Sequence, residues 1–179
     1  MLDLSAAFDT INHVLLLERL QHRYGIGGTV LKWFKCYLHN RQQSLVIKNT
    51  FSSSKPLLYD VPKGSVLGPL LFSLYFAPIE DLIVAHGFDL MIYADDTQIY
   101  VAINTSIRSL MLTKIELCTR DILSWCTSNN MLACNPSKTE IVHFTSQFKQ
   151  CDPIPGILIN GVNIQPVPIA RDLGTILDC

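Results

Sequence analysis

The chain has 179 residues, 49% hydrophobic and 16% charged, with fourteen Lys and Arg against fifteen Asp and Glu. Apolar content this high at a net charge of −1 excludes a disordered tail and a polybasic coat for nucleic acid, and the length suits one packed domain. The apolar uncharged run Gly64 to Ile79 is 16 residues long and carries Pro69 and Pro78; a bilayer-crossing helix needs roughly 20, so no membrane span is expected.

Met1 to Ser5 reads as the end of a buried strand. Asp9 or Thr10 can cap a helix with Ile11, Val14, Leu15 and Leu20 on its apolar face, closed by Gly25 and Gly27. Thr29 can cap a second, short helix through Leu38. Ser44 to Lys48 and Leu57 to Val61 look like strands flanking a serine-rich loop. Pro69 fits the first turn of a long apolar helix running towards Ala85. Phe88 to Ala94 and Thr97 to Ile103 are β-rich runs separated by Asp95-Asp96, the pattern of a tight hairpin. Ser106 to Ser128 is amphipathic, with Ile107, Leu110, Met111, Ile115, Cys118, Ile122 and Trp125 on its apolar side. Thr139 to Phe144 reads as a strand, Ile157 to Ile164 as a hairpin turning at Asn160-Gly161, and Leu173 to Leu177 as a last strand. Helices and strands alternate without a strict βαβ rhythm, which predicts an α+β fold with a mostly antiparallel sheet and packed helices.

Six cysteines, at 36, 118, 126, 134, 151 and 179, include no C-x-x-C pair. That argues against a zinc ribbon and for free thiols in a reducing compartment. The N-terminus has no basic segment ahead of an apolar one, so no secretory signal is expected.

Charge is segregated along the chain. Residues 1–63 hold eight basic and four acidic side chains; residues 64–179 hold six and eleven. From Arg19 to Tyr59 seven basic residues (Arg19, Arg23, Lys32, Lys35, Arg41, Lys48 and Lys55) meet no acid, with Tyr24, Trp33, Phe34, Tyr37 and Phe51 interleaved. Such a stretch can neutralise phosphates and offer stacking faces to bases. It can equally be a solvated helix face, and the helical spacing of Trp33, Phe34 and Tyr37 predicts that those three pack into the core.

Asp95-Asp96 is the feature that asks for chemistry. Adjacent carboxylates after an apolar strand repel each other unless water or a cation screens them. Mg²⁺ takes oxygen ligands and is commonly held by one or two carboxylates plus substrate phosphates. Asp3 also follows an apolar residue at a strand end, and three such groups together would match a two-metal site for phosphoryl transfer. A plain turn is the other reading of the doublet, since Asp favours turns.

The neighbouring strings decide between them. Leu2-Asp3-Leu4-Ser5-Ala6-Ala7-Phe8-Asp9-Thr10 resembles the first palm motif of reverse transcriptases, and the stretch from Val61-Pro62-Lys63-Gly64-Ser65 to Phe72 resembles the second. Tyr93-Ala94-Asp95-Asp96-Thr97-Gln98 resembles the third, Asn135-Pro136-Ser137-Lys138-Thr139-Glu140 the fourth, and Leu173-Gly174-Thr175-Ile176-Leu177-Asp178 the fifth. All five stand in family order over nearly the whole chain, in the version of LINE-type non-LTR retrotransposons.

The resemblance implies a polymerase palm-like fold and an RNA-directed DNA polymerase working on an RNA template, a DNA primer and deoxynucleoside triphosphates, with Mg²⁺ or Mn²⁺. It makes Asp3, Asp95 and Asp96 the metal-binding and catalytic aspartates. Phe8 sits where the family places an aromatic under the sugar, selecting deoxynucleotides; core packing of the ring is its other reading. Lys63, Gly64, Ser65 and Tyr93 fall at positions near the nucleotide. Lys138 matches a lysine that protonates departing pyrophosphate, or else is a surface charge on a turn. Leu173–Asp178 resembles the primer grip. By analogy alone the location is intracellular, cytoplasmic or nuclear.

Two residues depart from the family pattern: Lys63 stands where glutamine is usual, which adds a charge and removes an acceptor, and Asp60 where glycine is usual. Relative to the family, fingers, thumb and endonuclease are missing, so the expectation is a partial reverse transcriptase domain over 1–179. Exposed apolar surface would then favour self-association, and the isolated chain would polymerise poorly or not at all. A non-catalytic relic that binds nucleic acid or protein through Arg19–Tyr59 is a second reading. A two-metal hydrolase built on the same acids is a third, with no histidine at recognisable ligand spacing to support it.

Overall fold

Every pairing between strands among the described residues is antiparallel, as the sequence predicts. A computed structural model of the chain describes residues 1–3, 7–61, 64–94, 96–129, 136–145 and 153–178. In chain order its elements are β1 (Leu2–Asp3), α1 (His13–His22), α2 (Gly28–Leu38), β2 (Gln42–Gln43), β3 (Val46–Ile47), β4 (Thr50–Phe51) and β5 (Lys55–Pro56). There follow α3 (Gly68–Phe76), α4 (Pro78–Ala85), β6 (Asp89–Tyr93), β7 (Asp96–Tyr100) and α5 (Arg108–Ser128). Last come β8 (Ile157–Ile159), β9 (Val162–Ile164), β10 (Ile169–Asp172) and β11 (Thr175–Asp178). The content is α+β. The chain divides into two compact units, one of Met1–Ser5, Ile79–Cys126 and Ala133–Cys179, the other of Ala6–Pro78 and Thr127–Leu132.

The first unit is built on a three-stranded sheet in the order β1-β7-β6. Two further hairpins belong to it, β8–β9 and β10–β11. The first turns at Asn160-Gly161, both left-handed (φ 49° and 77°), the backbone that Asn-Gly accepts at least cost. The second turns at Leu173-Gly174 (φ 45° and 87°), so Leu173, read as strand, is a turn residue and the strand begins at Thr175. Thr139–Phe144 is not a strand. It makes one parallel bridge, Ile141 to Pro166, and Glu140 exchanges two backbone bonds with Met1 (2.8 and 3.1 Å). On α5 the buried residues are Cys118, Thr119, Ile122 and Cys126, whereas Leu110 is 57% exposed; the apolar stripe is longer than the surface that covers it. Burial, and then the nearby Asp121 charge, push the Cys118 thiol from 9.0 to about 11, so it packs as a neutral group. Cys36, Cys118 and Cys126 are free thiols; Cys134, Cys151 and Cys179 lie outside the described residues.

In the second unit α1 packs against α2 and α3. Asn12, not Asp9 or Thr10, caps α1: its Oδ1 accepts from the Val14 and Leu15 amides (2.9 and 3.2 Å), and Asp9 and Thr10 stand in a short 3₁₀ turn. The buried face is Leu16 and Leu20, with Val14 turned outwards. Helix α2 begins at Gly28 with Gly27 at its cap, so Thr29 is inside it. The strand expected at 44–48 is present only as β3 and that at 57–61 reduces to one bridge from Tyr59 to Asn12, while the segment forms a nested arm in which β2 pairs β5 and β3 pairs β4. The serines are its internal ties: Ser52 Oγ accepts from the Leu45 amide (2.9 Å) and Ser54 Oγ donates to Gln42 Oε1 (2.8 Å).

Pro69 occupies the first turn of α3 as expected. Pro78 has no N–H, so the Leu74 carbonyl four residues back loses its helical donor; the Tyr24 hydroxyl supplies one at 3.0 Å. By length and composition alone the Gly68–Ala85 stretch, of mean hydropathy 1.4, would be apolar enough to cross a membrane. The uncharged run that argued against a span stopped short at Glu80. Core helices share this composition, and Leu71, Phe72, Tyr75, Phe76, Ile79 and Ile83 are all buried.

Arg19 lies beside this helix end. Its guanidinium sits 4.2 Å from the Tyr75 ring centre and donates to the Tyr75 carbonyl and to Asn129 Oδ1. Burial lowers its pKa, against the opposing pull of Tyr75 and Tyr24. Arg19→Ala is expected to cost about 3 kcal/mol, because it strips a ring and two acceptors of their partner. Arg19→Lys should recover part of that by keeping the charge; urea unfolding of both variants checks the order.

Candidate active site

The register of β7 places the acids. Leu2 pairs Thr97 and Asp3 pairs Asp96, while Tyr93 pairs Asp96 on the other side. Directly opposed residues of an antiparallel pair share one face of the sheet. Leu2 and Thr97 are buried, so positions 3 and 96 stand on the opposite face, with Asp96 and Tyr93 exposed. Two positions separate Tyr93 from Asp96, and at the first of them Ala94 takes a left-handed φ of 54°. Asp96 is therefore the first residue of β7 and not a turn residue. Asp95 lies outside the described residues, as does the side chain of Asp3. Among the described residues no group of three or more His, Cys, Asp or Glu comes together.

Two residues beyond Asp96 on the same face is Gln98, only 5% exposed. Its Nε2 donates to Asp172 Oδ1 at 2.5 Å, and the Tyr100 hydroxyl donates to its Oε1. Asp172 can only accept, so it fixes which end of the amide faces it. Burial and the Asp172 charge raise the Tyr100 pKa. This network fastens the β10–β11 hairpin to the strand of Asp96. Neither Gln98 nor Asp172 was singled out from the sequence, although the period of two from Asp96 was a signal for Gln98. Lys138 is exposed, in a short 3₁₀ turn two residues before the Glu140–Met1 pairing, which sets that segment beside β1. A cavity of about 620 Å³ opens in this unit, lined by Gln98 and Tyr100 of that network and by Ile99, Ile115, Ile141 and Ile157 among others; Asp96 and Lys138 do not line it.

The second unit holds the other expected site residues. Phe8 stacks on Phe72 (centres 4.6 Å apart, planes at 28°), so its ring is packed. Gly64 has φ 79°, a conformation open to glycine. Ser65 Oγ accepts from the Gly68 amide at the start of α3 (3.0 Å). Lys63 lies outside the described residues. Of the basic run, Arg19 is drawn inward, and Arg41 lies over the Tyr37 ring at 4.6 Å. Arg23, Lys32, Lys35, Lys48 and Lys55 are exposed. Trp33, expected in the core, is 51% exposed. The spacing of α2 shows that one face is aromatic but not that Leu31 and Leu38, on the other, take the core.

The family model for reverse transcriptase (RNA-dependent DNA polymerase) matches residues 1–164. The chain belongs to the reverse transcriptase family. Its relatives include the probable RNA-directed DNA polymerase from transposon BS of Drosophila melanogaster, 29% identical over 99% of this chain and 19% of the relative. The RNA-directed DNA polymerase from mobile element jockey of Drosophila funebris is 28% identical over the same shares. So is the probable RNA-directed DNA polymerase from transposon X-element of Drosophila melanogaster. These mobile-element relatives agree with the LINE-type form of the motifs. The chain spans about a fifth of the length of the curated relatives it matches.

At position 60, where the resemblance leads to an expectation of glycine, the backbone of this fold favours glycine on physical grounds. Asp60 has φ 92°, where a Cβ is strained. The backbone is pinned there by its amide to the Ile11 carbonyl (3.1 Å) and by His13 Nε2 on its own carbonyl (2.8 Å). Asp60→Gly is expected to raise stability by about 1 kcal/mol, the strain relieved less the entropy glycine adds to the unfolded chain; thermal unfolding reads it. Gln98→Glu is expected to cost about 2 kcal/mol at neutral pH by setting carboxylate against carboxylate. One of that pair then holds its proton more tightly in the folded state, so the penalty shrinks as pH falls from that raised pKa and is gone below about 4, seen in unfolding against pH.

Proposed function

We propose that the chain forms the palm of an RNA-directed DNA polymerase and transfers nucleotides onto a primer 3′-hydroxyl. The observation that supports it most directly is the Asp3–Asp96 register, with Asp95 next to Asp96 in sequence, in a chain of this family. Asp3, Asp95 and Asp96 offer only carboxylate oxygens, a donor set that fits Mg²⁺ or Mn²⁺. Bound there, the metal would supply Lewis-acid stabilisation of phosphate charge and a more acidic 3′-hydroxyl.

The chain's own groups have separable tasks in this reading. Asp96, exposed at the start of its strand, holds negative charge where cations and phosphates can reach it. Tyr93, exposed across from it, offers a ring to the primer end. Lys138 gives its Nζ proton to the departing pyrophosphate. Family likeness alone assigns Phe8 to excluding a 2′-hydroxyl and Lys63, Gly64 and Ser65 to the incoming nucleotide. The partners are an RNA template, a DNA primer and deoxynucleoside triphosphates, which puts the reaction inside the cell.

Primer extension on an RNA template tests the proposal, with Mg²⁺ and with Mn²⁺, comparing the chain with Asp95→Asn/Asp96→Asn. Weak, metal-dependent extension is expected, falling at least about a hundredfold in the double variant, since metal stabilisation is worth several kcal/mol. Manganese binding followed by electron paramagnetic resonance should be lost in parallel. Folded protein that neither binds manganese nor extends a primer would leave the reading without support.

A further inference from the structure

We propose that the arm at 42–56 completes its sheet on a second copy of this chain, by adding to the open edge of that copy's β6. The inference goes beyond the polymerase reading and does not rest on it.

The arm is a pair of strands with no third. β3 pairs β4 in the register Val46–Phe51 and Ile47–Thr50, and neither pairs another strand among the described residues. Directly opposed residues share a face, so Val46 and Phe51 stand on one face of the ribbon and Ile47 on the other. Every residue from Gln42 to Pro56 is exposed, with Ile47 and Phe51 71% and 70% open. A two-stranded ribbon is marginal in water until a further strand or a packed face supports it. This one has neither, and its apolar side chains are uncovered within the chain that carries them.

The three-stranded sheet of the first unit ends in the edge such a ribbon needs. β6 is its outer strand, and from Asp89 to Tyr93 its backbone bonds only to β7 among the described residues. An exposed edge of this kind is a template for a strand from another chain. Asp89, Met91 and Tyr93 along it are exposed, so the added arm would set its apolar side chains beside Met91 and Tyr93.

Charge selects the pairing. The arm carries Lys48 and Lys55, and no acid occurs from Arg19 to Tyr59. β1, β6 and β7 contain Asp3, Asp89 and Asp96 and no basic residue. Arm against arm would oppose lysines, and β6 against β6 would oppose aspartates, both of which destabilise a ladder. Arm against β6 brings opposite signs together, and a second copy supplies both surfaces. Because the contact joins unlike surfaces, each copy keeps one free arm or one free edge, and association runs past two copies unless a ring closes.

Sedimentation equilibrium of the full chain, from about one to about a hundred micromolar, tests the proposal. The average mass should rise with concentration, and high salt should weaken association about tenfold. Lys48→Glu/Lys55→Glu and Asp89→Lys should each weaken it at least about tenfold, and mixing these two variants should restore it, because opposite signs face each other again. Ile47→Thr/Phe51→Thr, which leaves charge unchanged, should also weaken it. Hydrogen exchange should show the amides of Val46–Phe51 and Asp89–Tyr93 gaining protection together as concentration rises. A folded chain that stays monomeric, association indifferent to the lysine variant, a mixture that fails to restore it, or protection elsewhere would each overturn the proposal. So would an arm that stays labile at the highest concentration but is protected by phosphatidylserine vesicles or by RNA, which would assign it to those partners instead.

Discussion

The arrangement of the first unit depends on one register, that of β7 between β1 and β6. Tyr93 is paired with Asp96, and that pairing decides which side chains go inward along the whole strand. Thr97 faces Leu2 in the core; Asp96 shares the other face with Asp3. A slip of one residue would exchange these sets. It would drive a carboxylate into an apolar layer, at a cost no hairpin turn could offset. Separating the acids from the core is therefore a condition for the strand to pair at all, and it gathers them on one surface.

The same register makes a buried polar bridge possible. Gln98 is on the Asp96 face but covered, so its amide must be satisfied at both ends. Asp172 and Tyr100 do so, and the β10–β11 hairpin is held beside the acids by a bond that also settles the amide's orientation. In the second unit a comparable demand arises from Pro78. The carbonyl it leaves without a donor is taken by Tyr24, and the same helix end draws in Arg19. A basic residue that the sequence counts among seven equal cations is thereby given to the core, leaving the outward charge to Arg23, Lys32, Lys35, Lys48 and Lys55.

What the sequence made legible was local. Asn160-Gly161, Pro69 and the apolar strand before Asp95 each carry their signal within a few residues, and the fold follows them. The five motifs in order gave the family. The illegible parts depend on partners distant in the chain. Thr139–Phe144 has a strand's composition, but its contacts are single bridges to Met1 and Pro166. Periodicity showed that Trp33, Phe34 and Tyr37 share a side of α2 without showing that Leu31 and Leu38 had already claimed the core. Asp60 stands where glycine was expected, and its consequence is a dihedral angle, which no side-chain pattern reports.

Phe8 shows why packing and selectivity need not compete. Stacked on Phe72, which itself stacks on Phe76 at 5.5 Å, its ring belongs to an aromatic row anchored in α3. A ring free to turn aside would not discriminate between sugars, because the larger one could displace it. Steric exclusion requires that moving the ring cost more than the hydroxyl gains. In the polymerase reading the stack supplies that stiffness, since a shift of Phe8 disturbs the fully buried Phe72 and the close-packed interior behind it. The core contact is then the mechanical support that a gate at this position would need.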